Sequence, residues 1–296
     1  LTVGKAAHKV FHEFDRLIRA LSFVRGLYSI SKRSFVTYVL PKSPMKTTKL
    51  LTIALWVAVS APAVASPATK EEEKRIRALI EDLVFVHEKA SDRPLLSPGI
   101  GGNDDKEYKR QFEKCHSAFK KLSEFRDKAF PFMMEHLADK RPSVHFRNHY
   151  LGHSVGDACY WNICFQLQDR PQNYSSYGYQ RKGRDGKNHP KPYWEGTPFD
   201  EAGGVAEWLE QNKQLSYPQM QIKCLAWLLE REKRIGAADP DSYFENILPL
   251  EIRILERKLE TGADVQEELK RSREILTKKD VTAVPKDLLP EPSDRP

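Results

Sequence analysis

Beyond position 66 the apolar residues recur at helical spacing almost without a break, and this periodicity constrains the fold more than any other feature of the chain. Ile76, Leu79, Ile80, Leu83 and Val84 follow i, i+3, i+4, i+7 and i+8, one face of a helix. The acidic run Glu71-Glu72-Glu73 before them suits the positive end of a helix dipole. Tyr108, Phe112, Cys115, Phe119 and Leu122 mark a second helix. Pro131 starts a third, and Ser154 starts a fourth that runs to about Gln168. Val205, Trp208 and Leu209 mark the next, and Met220, Cys224, Leu225, Trp227 and Leu228 another that ends near Gly236. Asp239-Pro240 reads as an N-cap followed by the first helical residue; Pro249 kinks or splits the helix it opens, which ends toward Gly262. Val265, Leu269 and Leu276 mark a last helix. No segment alternates with the period of a strand. The expectation is one all-α domain over 66–278, built of antiparallel helix pairs with one long irregular loop at 169–197. A disordered, Pro-rich tail is expected at 279–296.

The first 65 residues read differently. Met45 is followed by Lys46 and Lys49, an apolar run from Leu50 to Val59, and Ala63-Val64-Ala65. Basic start, short apolar core and small-residue cleavage site are the parts of a secretory signal peptide, so 45–65 is expected to be removed. Residues 1–44 are then expected to be an upstream mis-start, outside the mature protein. The charge follows this division. The whole chain carries 48 Lys+Arg against 41 Asp+Glu; ten of the basic and two of the acidic residues fall in 1–65, leaving 38 against 39 beyond it. The basic pI of about 9.1 therefore belongs to the leader. It gives no footprint for nucleic acid on the remainder. The expected location is exported, periplasmic or extracellular, with no transmembrane segment after cleavage.

Four cysteines remain: Cys115, Cys159, Cys164 and Cys224. Outside the cytoplasm they permit disulfides in any of three connectivities. Cys115 and Cys224 lie on apolar helical faces, where a free thiol behaves as a small hydrophobe, and buried thiols are the preferred reading.

Over 129–168 the chain resembles the HEAT-like α-helical repeat. Ala129, Pro131 and Leu137 stand where that repeat places its small, Pro and Leu residues, and Asp139 stands at the acidic position between its two helices. The resemblance implies stacked helix pairs used for binding.

Two constellations in 145–157 bear on chemistry. Gly152-His153-Ser154-Val155-Gly156 matches the G-x-S-x-G nucleophile elbow. That motif needs an apolar strand, a sharp turn and a helix on a parallel sheet, with an acid and then a histidine following. The preceding residues are polar, and only His189 follows Ser154. The local reading is a capping box, Ser154 with Asp157 three residues on. Separately, His145, His149 and His153 recur every four residues and Asp157 continues the series, a spacing that ligates zinc if one helix carries all four. A metal-dependent or serine hydrolase centred here is the alternative function. Polar histidines in an interhelical turn are the plain one.

The remaining unusual segment is 173–199. Tyr174, Tyr177, Tyr179, Tyr193 and Trp194 alternate there with Arg181 and with further Lys and Arg. Aromatic faces accept sugar rings, and guanidinium or ammonium groups offer donors to anions. Tyr174, Tyr177, Tyr179, Arg181, Tyr193 and Trp194 are the candidate binding residues, and a loop that folds back over helix ends is the structural alternative. The expected function is a non-catalytic, exported helical scaffold that binds a protein or an envelope polysaccharide, with no nucleic acid and no cofactor.

Overall fold

A computed structural model describes residues 67–91, 95, 97–99, 105–144, 153–169 and 178–291. The expected upstream segment 1–44 and the expected signal peptide 45–65 lie outside the described residues. The fold is all-α, with two short β-ladders.

Helix α1 (Lys70–Glu81) opens on a reciprocal cap. The Thr69 hydroxyl accepts from the Glu72 amide at 3.2 Å, and Glu72 accepts from the Thr69 amide at 2.8 Å. Ile76, Leu79 and Ile80 then turn inward, as their spacing requires. Helix α2 (Lys106–Glu124) starts at the Asp105 cap and buries Tyr108, Phe112, Cys115, Ala118 and Leu122. A 3₁₀ turn, Arg126–Ala129, leads into the short α3 (Phe130–Glu135), with Pro131 in its first turn. Helix α4 (Val155–Leu167) is buried on nearly every side, including Val155, Ala158, Cys159, Ile163, Cys164 and Leu167. An apolar surface all round marks a helix surrounded by others, and α4 is the axis of the first core cluster.

Helices α5 (Pro192–Glu195), α6 (Pro198–Ala202) and α7 (Val205–Gln211) lead to the long α8 (Tyr217–Ile235). The expected break before Pro249 falls between α9 (Pro240–Asn246) and α10 (Leu248–Glu260), where a continuous helix would lose a backbone donor. The chain then forms α11 (Gln266–Lys278). Helix α8 joins the two halves of the core. Met220 and Cys224 face the first cluster; Leu225 and Leu228 pack on Leu250 and Ile254 of α10.

A buried polar chain fixes how α2, α4 and α8 meet. Asn162, fully buried, donates to the Phe119 carbonyl at 2.7 Å and accepts from Gln166 at 2.7 Å. Gln166 accepts in turn from the Tyr217 hydroxyl at 3.2 Å, and its carbonyl accepts from Gln221 at 2.8 Å. Polar groups sealed in a core need these partners, so any sliding of one helix would break several bonds at once. All four cysteines are buried free thiols. Burial pushes the Cys115 and Cys159 thiols up to about 12 and raises Cys224 as well, which keeps them protonated and unreactive.

Three expectations are corrected. The irregular loop is only partly irregular: β3 (Gln180–Lys182) and β4 (Asn188–Pro190) pair antiparallel, Arg181 opposite His189, and α5 follows directly. A second ladder, β1 (Pro142–Ser143) with β2 (His153–Ser154), precedes α4. Strands of two or three residues are too short to announce a period of two. The tail is also placed through Glu291. It turns through 3₁₀ segments at Val281–Ala283 and Lys286–Leu288, and it buries Val284 and Leu288 against Ala237, Tyr243 and Ile252. The Ala237 amide donates to the Leu288 carbonyl at 2.7 Å. Two apolar residues four apart suffice to dock a segment whose prolines suggest disorder. Among the described residues no helix is long and apolar enough to cross a membrane.

Candidate functional site

Ser154 is a helix cap. Its backbone is extended, φ −108° and ψ 172°, and its hydroxyl oxygen accepts from the Asp157 amide at 3.1 Å. Asp157 closes the box by accepting from the Ser154 amide at 2.8 Å and from the Ser154 hydroxyl at 2.8 Å. The next two first-turn donors are used as well: Val155 N–H donates to the Arg141 carbonyl at 2.9 Å and Gly156 N–H to the Asp139 carbonyl at 3.0 Å. No backbone donor of this turn is left to cradle an oxyanion. The strand that leads into it is two residues long and antiparallel, unlike the parallel-sheet strand that the elbow motif requires.

Arg141 holds the turn before this cap. Its guanidinium donates to Glu81 at 2.6 and 3.0 Å, which ties the end of α1 to the start of α4, and it also pairs with Asp139. The Arg141 contact draws the Asp139 carboxyl down to about 2. His153 is 3% exposed beside this turn. His145 and His149 lie outside the described residues, and among the described residues no group of three His, Cys, Asp or Glu side chains converges as metal ligands. Ser154→Ala should lower stability by about 1 kcal/mol, because the Asp157 amide loses its acceptor. Chemical denaturation measures that loss, and a fluorophosphonate probe added to the unmodified protein should leave Ser154 unlabelled. Stoichiometric labelling that disappears in the Ser154→Ala variant would overturn the cap reading.

The β3–β4 hairpin is built differently, around one buried charge. Arg181 and Glu232 have side chains only 6% and 4% exposed and form an ion pair. Arg181 Nε donates to Glu232 at 2.7 Å, its Nη1 to the Gly236 carbonyl at 2.6 Å, and its Nη2 to the Glu232 carbonyl at 3.0 Å. The guanidinium thus also closes the end of α8, reaching the Gly236 carbonyl just past the helix and the Glu232 carbonyl, which accepts from the Gly236 amide as well. Burial raises the Glu232 carboxyl above its ordinary value, and the Arg181 charge opposes that shift. Lys191 is half-buried nearby, and desolvation lowers its ammonium. At the hairpin tip, the Arg184 amide donates to the Ile235 carbonyl at 3.1 Å and its side chain to the Asp287 carbonyl at 2.7 Å. Hairpin, helix end and tail therefore lock together.

This arrangement divides the expected binding residues. Arg181 faces inward and has no donor to spare for a ligand, a correction that follows from its pairing with Glu232. Tyr193 also turns inward: it packs on Leu225, Leu228, Leu250 and Ile254, and its hydroxyl accepts from Arg253 at 3.0 Å. Tyr179 and Trp194 come together at the open end of the hairpin, ring centroids 4.7 Å apart at 43°. Tyr179 is 56% exposed, and the Trp194 indole N–H donates to the Gly178 carbonyl at 3.0 Å, which fixes its ring. The Tyr179 carbonyl accepts from the Lys191 amide at 2.9 Å, joining the two aromatic segments. Tyr174 and Tyr177 lie outside the described residues.

Sequence reasoning missed the outer face of the hairpin. Gln180, Lys182 and Asn188 are all exposed there, with Lys182 directly across from Asn188. Asp185-Gly186 is the signal that would have found it: Asp-Gly is a hairpin turn pair, and Gly186 takes φ +73°, which few other residues adopt. Compared with known protein families, with curated proteins and with solved structures, the chain matches none.

Proposed function

We propose that the chain is an exported, non-catalytic helical scaffold that holds a protein or an envelope polysaccharide against its hairpin. One observation carries this reading: Tyr179 stands exposed, its ring against the partly buried Trp194, on a hairpin anchored by a buried ion pair. An exposed tyrosine ring is of little use to the core beneath it. Held rigidly, it offers ring faces at low entropic cost to whatever binds. Export rests on the signal-peptide pattern at 45–65, and the four buried thiols are compatible with either side of a membrane. As part of the same proposal, the 3₁₀ turn and α3 together act as the first helix of a HEAT-like pair, with α4 as the second.

Titration of the full chain with a panel of neutral and acidic polysaccharides, followed by tryptophan emission, tests the reading. Saturable binding is expected, weakened about tenfold (about 1.4 kcal/mol) by Tyr179→Ala and by Trp194→Ala, since each removes a ring face from the ligand. The ligand should be recovered at unchanged chain length. Shortened chains, or affinity indifferent to both substitutions, would contradict the proposal.

A further inference from the structure

Residues 280–291 form a strap from the end of α11 to the junction between the hairpin and α8. Lys279 ends α11 in the left-handed conformation, φ +47°, which breaks the helix. Asp280 then caps a 3₁₀ turn by accepting from the Thr282 amide at 3.0 Å, and Pro285 opens the next turn. Of the twelve residues 280–291, only Val284 and Leu288 are buried, 6% and 5% exposed. The backbone bonds inside the strap are single turns: Ala283 N–H to the Asp280 carbonyl, Val284 to Val281, Leu288 to Pro285 and Leu289 to Lys286. A segment held by two buried side chains and isolated turns opens at far lower cost than a helix of the core.

The strap lands on three consecutive residues that the hairpin also grips. The Ile235 carbonyl accepts from the Arg184 amide at 3.1 Å, and the Gly236 carbonyl accepts from Arg181 Nη1 at 2.6 Å. The next amide, that of Ala237, donates to the Leu288 carbonyl of the strap at 2.7 Å. Arg184 completes the connection, since its Nη1 donates to the Asp287 carbonyl at 2.7 Å. Gly236 takes φ +72°, and a Cβ there would lie 2.8 and 2.9 Å from side-chain carbons of Arg184 and 2.9 Å from the Leu288 carbonyl oxygen. Hairpin tip and strap thus close over one glycine. The buried Arg181–Glu232 pair ties strand β3 to α8 independently of the strap, so the tip at 183–187 is the part that the strap governs.

We propose that 280–291 is a detachable latch on the hairpin: it opens while the helical core stays folded, and its opening releases the hairpin tip. Lifting Leu288 takes the Asp287 carbonyl from Arg184 and the Leu288 carbonyl from Ala237 in one motion, and it uncovers the apolar surface at Ala237, Tyr243 and Ile252. The coupling is reciprocal, so anything that holds the hairpin tip in place also favours the closed strap. This holds whatever the hairpin binds.

Native-state amide hydrogen exchange of the full chain is the test. Relative to their rates in an open chain, the Leu288, Leu289 and Ala237 amides should exchange at least about tenfold faster than buried α4 amides such as that of Ile163. Leu288→Ala should speed exchange at the Arg184 and Ala237 amides at least about tenfold and leave α4 unchanged. Arg184→Ala, which alters only an exposed side chain, should in turn speed exchange at Leu288 and Leu289. Strap amides as well protected as α4 would overturn the detachable strap. Arg184 exchange unmoved by Leu288→Ala, or Leu288 exchange unmoved by Arg184→Ala, would overturn its coupling to the hairpin. A Leu288→Ala protein that fails to fold, or that loses protection throughout α4 as well, would show the strap to be part of the core and refute the proposal.

Discussion

Glu232→Ala is expected to lower the unfolding free energy by about 3–5 kcal/mol, the usual cost of leaving a buried charge without its partner. Arg181 would keep its bonds to the Gly236 and Glu232 carbonyls, but its charge would remain sealed beneath the hairpin. The carboxylate is removed without disturbing the α8 backbone, so the loss measures the stranded guanidinium. Denaturant unfolding gives the value. The paired replacement Arg181→Met/Glu232→Leu should recover most of it, because a buried ion pair is commonly worth no more than well-packed apolar groups of similar size. A Glu232→Ala protein within about 0.5 kcal/mol of the original would show that the pair is solvated and the hairpin loosely held.

Gly156→Ala is the second large effect, with a sign opposite to the ordinary one. In an open helix this change adds about 1 kcal/mol of stability. Here an added Cβ would lie 2.3 Å from the Leu137 carbonyl oxygen and 3.1 Å from that of Asp139. Both are backbone atoms of the turn that pairs with α4, and neither can swing aside as a side chain would. The helix must back away, which breaks the Gly156-to-Asp139 hydrogen bond and disturbs Val155 and Ala158 in the core. Overpacking together with a lost buried hydrogen bond gives about 2–4 kcal/mol of destabilisation. Thermal or denaturant unfolding reads it, and a stabilised Gly156→Ala protein would refute the close approach of α4 to this turn.

Both effects bear on how much of the molecule can be read from its residues. The helices are legible because each repeats one physical demand many times. Ile76, Leu79 and Ile80 must share a face, and a helix is the only local structure that gives them one. The caps at Ser154 and Asp239 are legible for a related reason: partner and capped amide sit three residues apart. The Arg181–Glu232 pair is not legible. Its members lie 51 residues apart, and an arginine in a basic, aromatic stretch has the same local signature whether it faces water or the core. The candidate site is therefore half readable. Aromatic density points to Tyr179 and Trp194, but it also points to Tyr193, which the core claims. The outer face at Gln180, Lys182 and Asn188 emerges only once the register of a three-residue ladder is known. The docked tail is hidden in the same way, because Val284 and Leu288 acquire meaning only from the Ala237–Ile252 surface beneath them.

The central claim is that ligand binds the hairpin and not the turn before α4, and amide hydrogen exchange separates the two directly. Exchange is followed along the full chain with and without a saturating polysaccharide that binds in the titration. The account predicts added protection at amides of 178–195, including the Lys191 N–H that bonds the Tyr179 carbonyl, with 153–169 unchanged. Added protection at 153–169 with the hairpin unaltered would contradict it, and would return the function to the Ser154 turn.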